Sequence, residues 1–262
     1  MAPPRVSADL AGRKLTFTCG AVPGDWLGYR SYVAPGASDD EQVIVVSDEA
    51  TGAVRRLAVG ASLGPRRVGA IGAVALEALA PDDPGAIAVI GTGRQAWHQL
   101  WALPKRFRDV PVRAFSRTAS ARQDFAGRAR DELGLAARAA GSVAEAVRDA
   151  GVVILATSSP QPVLRPDDVR SSAYVTTLGP KQVGRSEFAP DLARDAALVV
   201  TDAPDQIRAY DPPNVLAGTP VEDALVHLGA VVAGEREVRA GTRVFFSAGL
   251  AGTEAVLLNA LA

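Results

Sequence analysis

The chain has 262 residues, of which 48% are hydrophobic and 22% charged, so it is long enough for one large α/β domain or two smaller ones. Its 28 basic and 29 acidic side chains give a net charge of −1 and form no basic stripe, which argues against nucleic-acid binding. The single cysteine, Cys19, excludes intrachain disulfides and a cysteine-built zinc site, and the two histidines lack metal-ligand spacing, so no metal is expected.

The first 60 residues are predicted to form short strands and turns. Residues 14–18 alternate in polarity, residues 42–47 are a largely apolar run, and Val54–Val59 follows a turn. No charged-then-apolar signal pattern opens the chain, and no apolar run reaches the roughly 18 residues of a transmembrane helix. We therefore expect a cytoplasmic protein that does not contact a membrane.

The remainder of the chain has the pattern of an α/β protein. An alanine-rich segment at residues 67–80 predicts a buried helix, and Pro-Asp-Asp-Pro-Gly at residues 81–85 is the expected domain boundary. Short apolar strands then alternate with helices, as in a parallel sheet covered on both faces. Strands are expected at residues 87–90, 112–115, 152–156, 174–178 and 198–201, and helices at residues 95–103, 119–133 and 143–150. The segment 241–246 and an apolar helix at residues 253–261 close the chain. The predicted fold class is a Rossmann-type, doubly wound α/β sheet.

The strongest local motif is a glycine-rich turn between an apolar strand and a helix. Residues 91–96 read Gly-Thr-Gly-Arg-Gln-Ala, a G-x-G-x-x-A sequence. The first glycine permits a tight turn, the second lets the backbone approach a pyrophosphate, and the helix N-terminus offers its N–H groups to the phosphates. The residues expected to contact a dinucleotide here are Gly91, Thr92, Gly93, Arg94 and Gln95.

The end of the second strand indicates which dinucleotide is bound. An NAD enzyme typically has an acidic residue there for the ribose hydroxyls, whereas this chain has Ser116, Arg117 and Thr118. Arg117 can bind a 2′-phosphate with two parallel hydrogen bonds, assisted by the two hydroxyls. NADP(H) is therefore the preferred cofactor, and NAD(H) is possible. The alternative interpretation of Arg117 is an exposed arginine at the start of the next helix.

Four segments together resemble the ornithine cyclodeaminase/mu-crystallin family over residues 28–260. They are I-G-T-G-R-Q-A at residues 90–96, V-I-L-A-T-S-S-P at 153–160, L-G-P-K-Q-V-G-R-S-E at 178–187 and F-S-A-G-L-A-G-T-E at 246–254. The resemblance implies a dinucleotide-binding domain at residues 83–246. It also implies a smaller α+β substrate and dimerisation domain, formed by residues 1–82 and a segment from about 247 to 262, and a homodimer.

The resemblance also assigns site residues. Those expected along the nicotinamide half of the cofactor are Thr157, Ser158, Ser159, Gly179, Ser247 and Gly249. For residues 157–159 the alternative is a strand-end turn with satisfied hydroxyls. Arg67 and Arg30 would bind the carboxylate of a small substrate. Arg30 stands where the family has a lysine, and it retains the charge but cannot act as a proton donor.

Lys181 departs from the cyclodeaminase branch, which has an aspartate at this position as its acid–base group. A lysine there could protonate an imine or its product amine, which makes it the candidate catalytic residue. The alternatives are a surface salt bridge or a contact to a cofactor phosphate. Asp202, the other carboxylate near this edge of the sheet, is interpreted as structural.

These features predict an NADPH-dependent imine reductase or amino-acid dehydrogenase. A non-catalytic, crystallin-like NADP(H)- or ligand-binding protein is the alternative from another class, and ornithine cyclodeaminase activity is a third possibility that Lys181 disfavours. The family-like segments begin early in this chain, so the helices that open the family fold are expected to be missing. The sequence leaves the substrate open.

Overall fold

The computed structural model of the protein describes residues 2–34 and 42–250, and the helix expected at residues 253–261 lies outside these ranges. The described residues form two principal sheets, one antiparallel and one parallel, with helices packed on both faces of the parallel sheet. Within the two described ranges, no helix has the length and hydropathy needed to cross a membrane.

The N-terminal residues form a five-stranded antiparallel sheet in sequential order. Its strands are β1 (Val6–Leu10), β2 (Arg13–Val22), β3 (Trp26–Ala34), β4 (Gln42–Asp48) and β5 (Val54–Val59). The expected strands at residues 14–18, 42–47 and 54–59 lie within β2, β4 and β5. The expectation omitted β1 and β3, and β2 extends to Val22, well beyond the expected end.

Both faces of this sheet carry apolar side chains. The buried face combines Trp26, Ile44 and Val46 with the polar residues Thr16, Thr18 and Arg30. The other face is largely apolar although exposed, with Leu57 and Val59 showing 64% and 72% of their surface. We call this surface the apolar sheet face; its large exposed members are Val6, Leu10, Leu27, Tyr29, Val33, Leu57 and Val59. The strand pattern was hard to recognise because hydrophobic side chains do not mark one side of the sheet.

Helix α1 (Leu63–Leu79) joins the two sheets and packs closely on helix α2 (Arg94–Trp101). It begins four residues before the expected start at residue 67, since Pro65 is tolerated in a first helical turn. Two glycines allow the close contact: a Cβ atom at Gly69 would overlap the backbone carbonyl of His98, and one at Gly72 would overlap the side-chain amide of Gln99. The Gln99 Nε2 atom also donates a hydrogen bond of 3.1 Å to the carbonyl of Val68.

The second sheet has eight parallel strands in the order β14-β13-β15-β10-β9-β6-β7-β8. Its strands are β6 (Ile87–Ile90), β7 (Val112–Phe115), β8 (Ala137–Ala139), β9 (Val152–Leu155), β10 (Tyr174–Thr177), β13 (Leu198–Thr201), β14 (Val226–His227) and β15 (Arg243–Phe246). A two-stranded ladder, β11 (Lys181–Gln182) with β12 (Arg185–Ser186), lies beyond the end of β10. The parallel sheet and the separate antiparallel sheet confirm the predicted fold class.

The helices after α2 are α3 (Ala119–Leu133), α4 (Val143–Val147), α5 (Asp191–Arg194), α6 (Pro204–Arg208), α7 (Pro220–Asp223) and α8 (Leu228–Val232), with 3-10 turns at Lys105–Phe107 and Pro166–Asp168. The expected helix at residues 143–150 ends early, because Asp149 adopts a positive φ of 57° before Gly151. Apolar side chains from the helices and strands form one buried cluster on each face of the parallel sheet.

Strand β6 is the point at which the order of the parallel sheet reverses. Ile90 at its end pairs with Phe115 of β7 on one side and with Leu155 of β9 on the other. Connections from two such strands leave toward opposite faces of the sheet, which opens a crevice outside their carboxyl ends. The glycine-rich turn at residues 91–96 lies at this crevice.

Candidate functional site

A cavity of about 640 Å³ lies between the two sheets. The carboxyl edge of the parallel sheet, the start of α1 and the polar face of the antiparallel sheet form its walls. Predicted site residues on its lining are Arg30, Arg67, Gln95, Gly179, Lys181, Ser247 and Gly249. The structure therefore brings together residues that are far apart in the sequence.

The glycine-rich turn has the geometry needed for a phosphate-binding loop. Gly91 has a φ of 104°, and a Cβ atom there would overlap the carbonyl oxygen of Ala156. A Cβ atom at Gly93 would meet no protein atom within 4 Å, so the backbone there faces open space into which a phosphate could come close. No side chain caps the start of α2, and the buried Oε1 atom of Gln95 has no hydrogen-bond partner among the described residues. These unfilled contacts fit a bound dinucleotide. Of the other residues in the turn, Thr92 is half-buried and Arg94 is exposed.

The turn after β7 presents polar groups at the neighbouring strand end. The Ser116 hydroxyl donates to the carbonyl of Thr118 over 3.2 Å, and both Arg117 and Thr118 are exposed. Arg122 was missed by the sequence reasoning. Its Nη1 atom donates to the Ser116 carbonyl over 2.9 Å, and its guanidinium lies 5.6 Å from the centre of the Phe115 ring. The sequence feature that could have pointed to Arg122 is its position one helical turn after Thr118.

Glu187 is a fully buried carboxylate that the sequence reasoning gave no role. Its Oε2 atom accepts hydrogen bonds from the backbone N–H and the hydroxyl of Thr157, both 2.8 Å long. Its Oε1 atom accepts from the Thr177 hydroxyl and the Gly179 N–H, both at 2.7 Å. One carboxylate thus joins the carboxyl ends of β9 and β10. In the sequence, the feature that could have pointed to this role is a single acidic residue between Ser186 and Phe188.

The Thr157 hydroxyl therefore contacts Glu187, which is the satisfied strand-end arrangement named above as the alternative. The Ser159 hydroxyl donates to the carbonyl of Gln161 over 2.7 Å, and Ser158 is exposed at the edge of the crevice. Gly179 cannot carry a side chain, because a Cβ atom would overlap the carbonyl of Thr157 and crowd Glu187. These residues shape the backbone of the crevice.

Lys181 follows this turn and is almost completely buried, with 3% of its surface exposed. Its Nζ atom donates a hydrogen bond of 2.8 Å to the carbonyl of Gly179 and lines the cavity. This burial does not fit the alternative of a surface ion pair, and within the described ranges Lys181 forms no salt bridge. An ammonium group has three donors, and one of them is oriented by this carbonyl.

Arg30, on β3, and Arg67, on α1, both line the cavity and are both buried, with 9% and 6% of their surfaces exposed. Burial, with a smaller contribution from the charge of Arg30, lowers the pKa of Arg67 to about 9, while the charge of Asp202 acts in the opposite direction. The pKa of Arg30 is also lowered, chiefly by burial. Two buried guanidinium groups lining one cavity provide a strong site for an anion.

Asp202 holds the segment at residues 247–249 against the end of β13. Its Oδ1 atom accepts a hydrogen bond of 2.7 Å from the N–H of Ala248, and Gly249, with a φ of 83°, lies against the guanidinium of Arg67. Burial raises the pKa of the Asp202 carboxyl, while hydrogen bonds from the Ala248 and Gly249 backbone and the charge of Arg67 oppose that shift. No group of three potential metal ligands occurs among the His, Cys, Asp and Glu residues that the structure describes.

Comparison with known proteins identifies the protein family to which the chain belongs. A family model described as "Ornithine cyclodeaminase/mu-crystallin family" matches residues 28–260. The mouse (Mus musculus) ketimine reductase mu-crystallin is 25% identical over 224 residues, which are 85% of this chain and 69% of that protein.

Solved structures show the same fold. The iminosuccinate reductase of Paracoccus denitrificans in complex with NAD+ superimposes with a TM-score of 0.83 at 24% identity, covering 100% of this chain and 84% of that one. An archaeal alanine dehydrogenase dimer with bound NAD superimposes with a TM-score of 0.79 at 22% identity, covering 100% of this chain and 85% of the other.

Proposed function

The chain belongs to the ornithine cyclodeaminase/mu-crystallin family, and we propose that it is an oxidoreductase acting on the C=N bond of a small imino acid, or on the C–N bond of the corresponding amino acid. The single observation that carries the proposal is one cavity lined by two buried arginines, a buried lysine and the helix that follows the glycine-rich turn. This arrangement can hold a carboxylate, a reducible carbon–nitrogen bond and a dinucleotide next to one another.

The cofactor in this proposal is a nicotinamide dinucleotide, which supplies or accepts the hydride when bound. Gly91, Gly93 and the start of α2 would hold the pyrophosphate. NADP(H) is preferred, because Arg117 and Arg122 bring two guanidinium groups to the strand end at which a 2′-phosphate would lie. NAD(H) is the alternative, and it is the dinucleotide in the P. denitrificans iminosuccinate reductase structure.

Arg67 and Arg30 would bind the substrate carboxylate. A carboxylate between them would offset the positive charge of two buried guanidinium groups, and guanidinium forks bind a carboxylate with parallel hydrogen bonds. Because an arginine keeps its proton at neutral pH, neither residue would take part in acid–base chemistry.

Lys181 would deliver the proton. The carbonyl of Gly179 holds its Nζ atom on the cavity wall, so that its other donors can reach the nitrogen of a bound imine. The cyclisation of ornithine calls instead for a carboxylate near the substrate ammonium, and a lysine at this position disfavours that reaction.

We further propose a homodimer formed through the apolar sheet face. Leu57, Val59 and their neighbours present a continuous apolar surface on the side of the sheet away from the cavity. Monomeric proteins rarely expose such a surface, and a second copy of the sheet would cover it with matching chemistry. The archaeal alanine dehydrogenase with the same fold is a dimer.

The test is oxidation of NADPH and NADH in the presence of cyclic and acyclic α-imino acids, followed by the absorbance of the reduced nicotinamide. Turnover with NADPH favoured over NADH is the expected result. Tight NADPH binding without turnover of any imine would instead establish the non-catalytic, crystallin-like alternative. Formation of proline from ornithine would establish the cyclodeaminase alternative.

A further inference from the structure

A second cavity lies at the amino edge of the parallel sheet, where β10 and β15 begin. Its volume is about 420 Å³, and its walls are the end of α1, residues 80–82 and the segment that leads into β15. None of its described lining residues lines the cavity between the two sheets. The volume is within the range of about 300–1,000 Å³ that is typical of small-molecule sites. We call this space the amino-edge cavity.

Arg243 is the buried charge on the amino-edge cavity. It is the first residue of β15 and shows 8% of its surface. Its Nη2 atom donates to the carbonyl of Ser172, whereas its Nε atom has no hydrogen-bond partner and its guanidinium forms no ion pair among the described residues. A guanidinium has five N–H donors, and buried charged groups in proteins are normally paired. The side chain of Arg243 is therefore suited to hold an anionic group on the cavity wall.

Two acidic residues, Glu77 and Asp82, line the same cavity, and only Glu77 has an ion-pair partner. The Nε atom of Arg106 lies 2.9 Å from the Glu77 carboxylate, and its Nη2 atom donates to the Glu77 carbonyl over 2.7 Å. Asp82 is exposed, and its carboxylate forms no ion pair or hydrogen bond with any other residue that the structure describes. Burial lowers the pKa of Arg243 and the charge of Asp82 opposes that shift, so the two charges interact without direct contact.

The end of α1 adds to the negative side of the cavity. This helix of 17 residues ends at Leu79 without a basic residue in its last turn. The carbonyl groups at a helix C-terminus carry a partial negative charge, which favours a cation nearby. Asp82 follows three residues later. The amino-edge cavity thus combines one buried positive group with a region that favours a positive ligand group.

We propose that the amino-edge cavity binds a zwitterionic α-amino acid, with the carboxylate on Arg243 and the ammonium next to Asp82 and the end of α1. A simple anion would suit Arg243 but would also meet the negative charges of Asp82 and Glu77. A simple cation would leave Arg243 without an anionic partner. An α-amino acid carries both charges close together. It is the product class of the proposed reaction, but binding at this cavity does not depend on that function.

An amino acid bound there would contact two elements that also reach the cavity between the sheets. Helix α1 carries Arg67 near its start and Glu77 in its last turn. Strand β15 runs from Arg243 to Phe246, and Ser247 follows it directly. The proposed ligand would therefore lie at the far ends of the helix and the strand that position Arg67 and Ser247.

The experiment counts the L-alanine molecules bound per chain, by calorimetry, in the unchanged protein and in Ala240→Trp. Ala240 is exposed and lines the amino-edge cavity, so an indole ring should fill the space without changing the charge or the fold. We expect the number bound to fall by one, whether or not the cavity between the sheets binds another L-alanine. An equal number in the two proteins would overturn the proposal.

Charge variants locate the two ends of the ligand. Arg243→Gln should weaken L-alanine binding at this site about tenfold or more, because it removes a hydrogen-bonded charge. Asp82→Asn alters an exposed residue and should fold normally, and it should weaken binding about threefold, since exposed ion pairs contribute little. Asp109→Asn removes an exposed acid outside the cavity and should have no effect. Equal effects of Asp82→Asn and Asp109→Asn would contradict the role of Asp82.

Propionate and ethylamine each carry only one of the two charges of L-alanine. With either compound, the unchanged protein and Ala240→Trp should bind equal numbers of molecules. If Ala240→Trp bound one propionate fewer, the cavity would be a simple anion site and the zwitterion proposal would be wrong. Turnover of imines is measured separately, so L-alanine binding at this cavity without any turnover would contradict the proposed function alone.

Discussion

The carboxylate of Glu187 accepts hydrogen bonds from both the backbone N–H and the hydroxyl of Thr157, each 2.8 Å long. Two further donors, from Thr177 and Gly179, complete its partners on the other oxygen. Because these groups come from the ends of two adjacent parallel strands, the shape of the proposed nicotinamide crevice depends on a residue that does not line the cavity.

Glu187→Gln should destabilise the protein and weaken dinucleotide binding. The amide keeps one acceptor oxygen but turns an NH2 group toward donors, which leaves buried donors unpaired at a cost of about 1–3 kcal/mol. We expect a matching loss in the free energy of unfolding by denaturant and a higher KM for the cofactor. The exposed Glu132→Gln, which breaks only a surface ion pair with Arg128, is the control and should change neither. An unaltered KM would contradict the positioning role.

Arg117→Asp should weaken NADPH binding and spare NADH. Charge reversal removes one guanidinium and repels a 2′-phosphate, so NADPH affinity should fall about tenfold or more. Arg122→Gln should act in the same direction, whereas Arg138→Gln, an exposed arginine on β8, should have no effect. Titration of each variant with both dinucleotides measures the selectivity. Unchanged NADPH affinity in Arg117→Asp would contradict the proposal that Arg117 binds the 2′-phosphate.

Arg67→Lys should raise the KM for the substrate by about tenfold, since a lysine keeps the charge but loses the two parallel hydrogen bonds of a guanidinium. KM for the cofactor should stay near its original value. Arg66→Gln provides a matched control one residue away, because Arg66 is exposed and lies 5.8 Å from the Trp101 ring rather than in the cavity. If the two variants had equal effects, the carboxylate would not be bound by Arg67.

Asp202 should make stability depend on pH. Burial raises the pKa of its carboxyl above the ordinary value of 3.8, so the folded protein retains that proton longer than the unfolded chain. The contribution of Asp202 to stability is therefore most favourable below pH 3.8 and declines as the pH rises through its folded pKa. Asp202→Asn keeps an acceptor for the N–H of Ala248 and should remove this decline. Denaturant unfolding of both proteins from pH 4 upward measures it, and parallel stability curves would contradict the prediction.

Leu57→Glu should dissociate the proposed dimer. The residue is 64% exposed on the apolar sheet face, and a charge there would be buried without a partner between two copies. Sedimentation should then report a monomer for this variant and a dimer for the original protein. Val74→Glu, which adds the same charge at an exposed position of α1, should remain dimeric. A dimer in both variants would place the interface elsewhere.

The sequence reveals the parallel sheet because its strands are short apolar runs with regular helical connections. Strands β6, β7 and β13 have the expected bounds, and the glycine-rich turn follows β6 as predicted. The antiparallel sheet was predicted less completely, because apolar side chains lie on both of its faces and the buried face also carries threonines and Arg30. Pattern reasoning assumes that hydrophobic residues mark the interior. The exposed apolar sheet face does not meet this assumption, and the proposed dimer would cover it.

The site was predicted in part, and the missed residues share a cause. Lys181, Arg30 and Arg67 could be named from motifs in the sequence, and all three line the cavity. Glu187 and Arg122 could not be assigned a role, because each acts through contacts to backbone groups that only the fold brings near. Arg5 also lines the cavity, and it belongs to none of the motifs that the sequence analysis used.

The glycine contacts between α1 and α2 have a consequence for how substrate and cofactor meet. Gly69 and Gly72 bring the helix that carries Arg67 directly against the helix that begins at the phosphate-binding turn. With no side chain at these two points, the helices approach each other closely, backbone against backbone at Gly69 and backbone against the Gln99 amide at Gly72. The same helix contact therefore positions both Arg67 and the phosphate-binding turn, so the distance between a bound carboxylate and a bound dinucleotide would be set by packing that is present before either ligand binds.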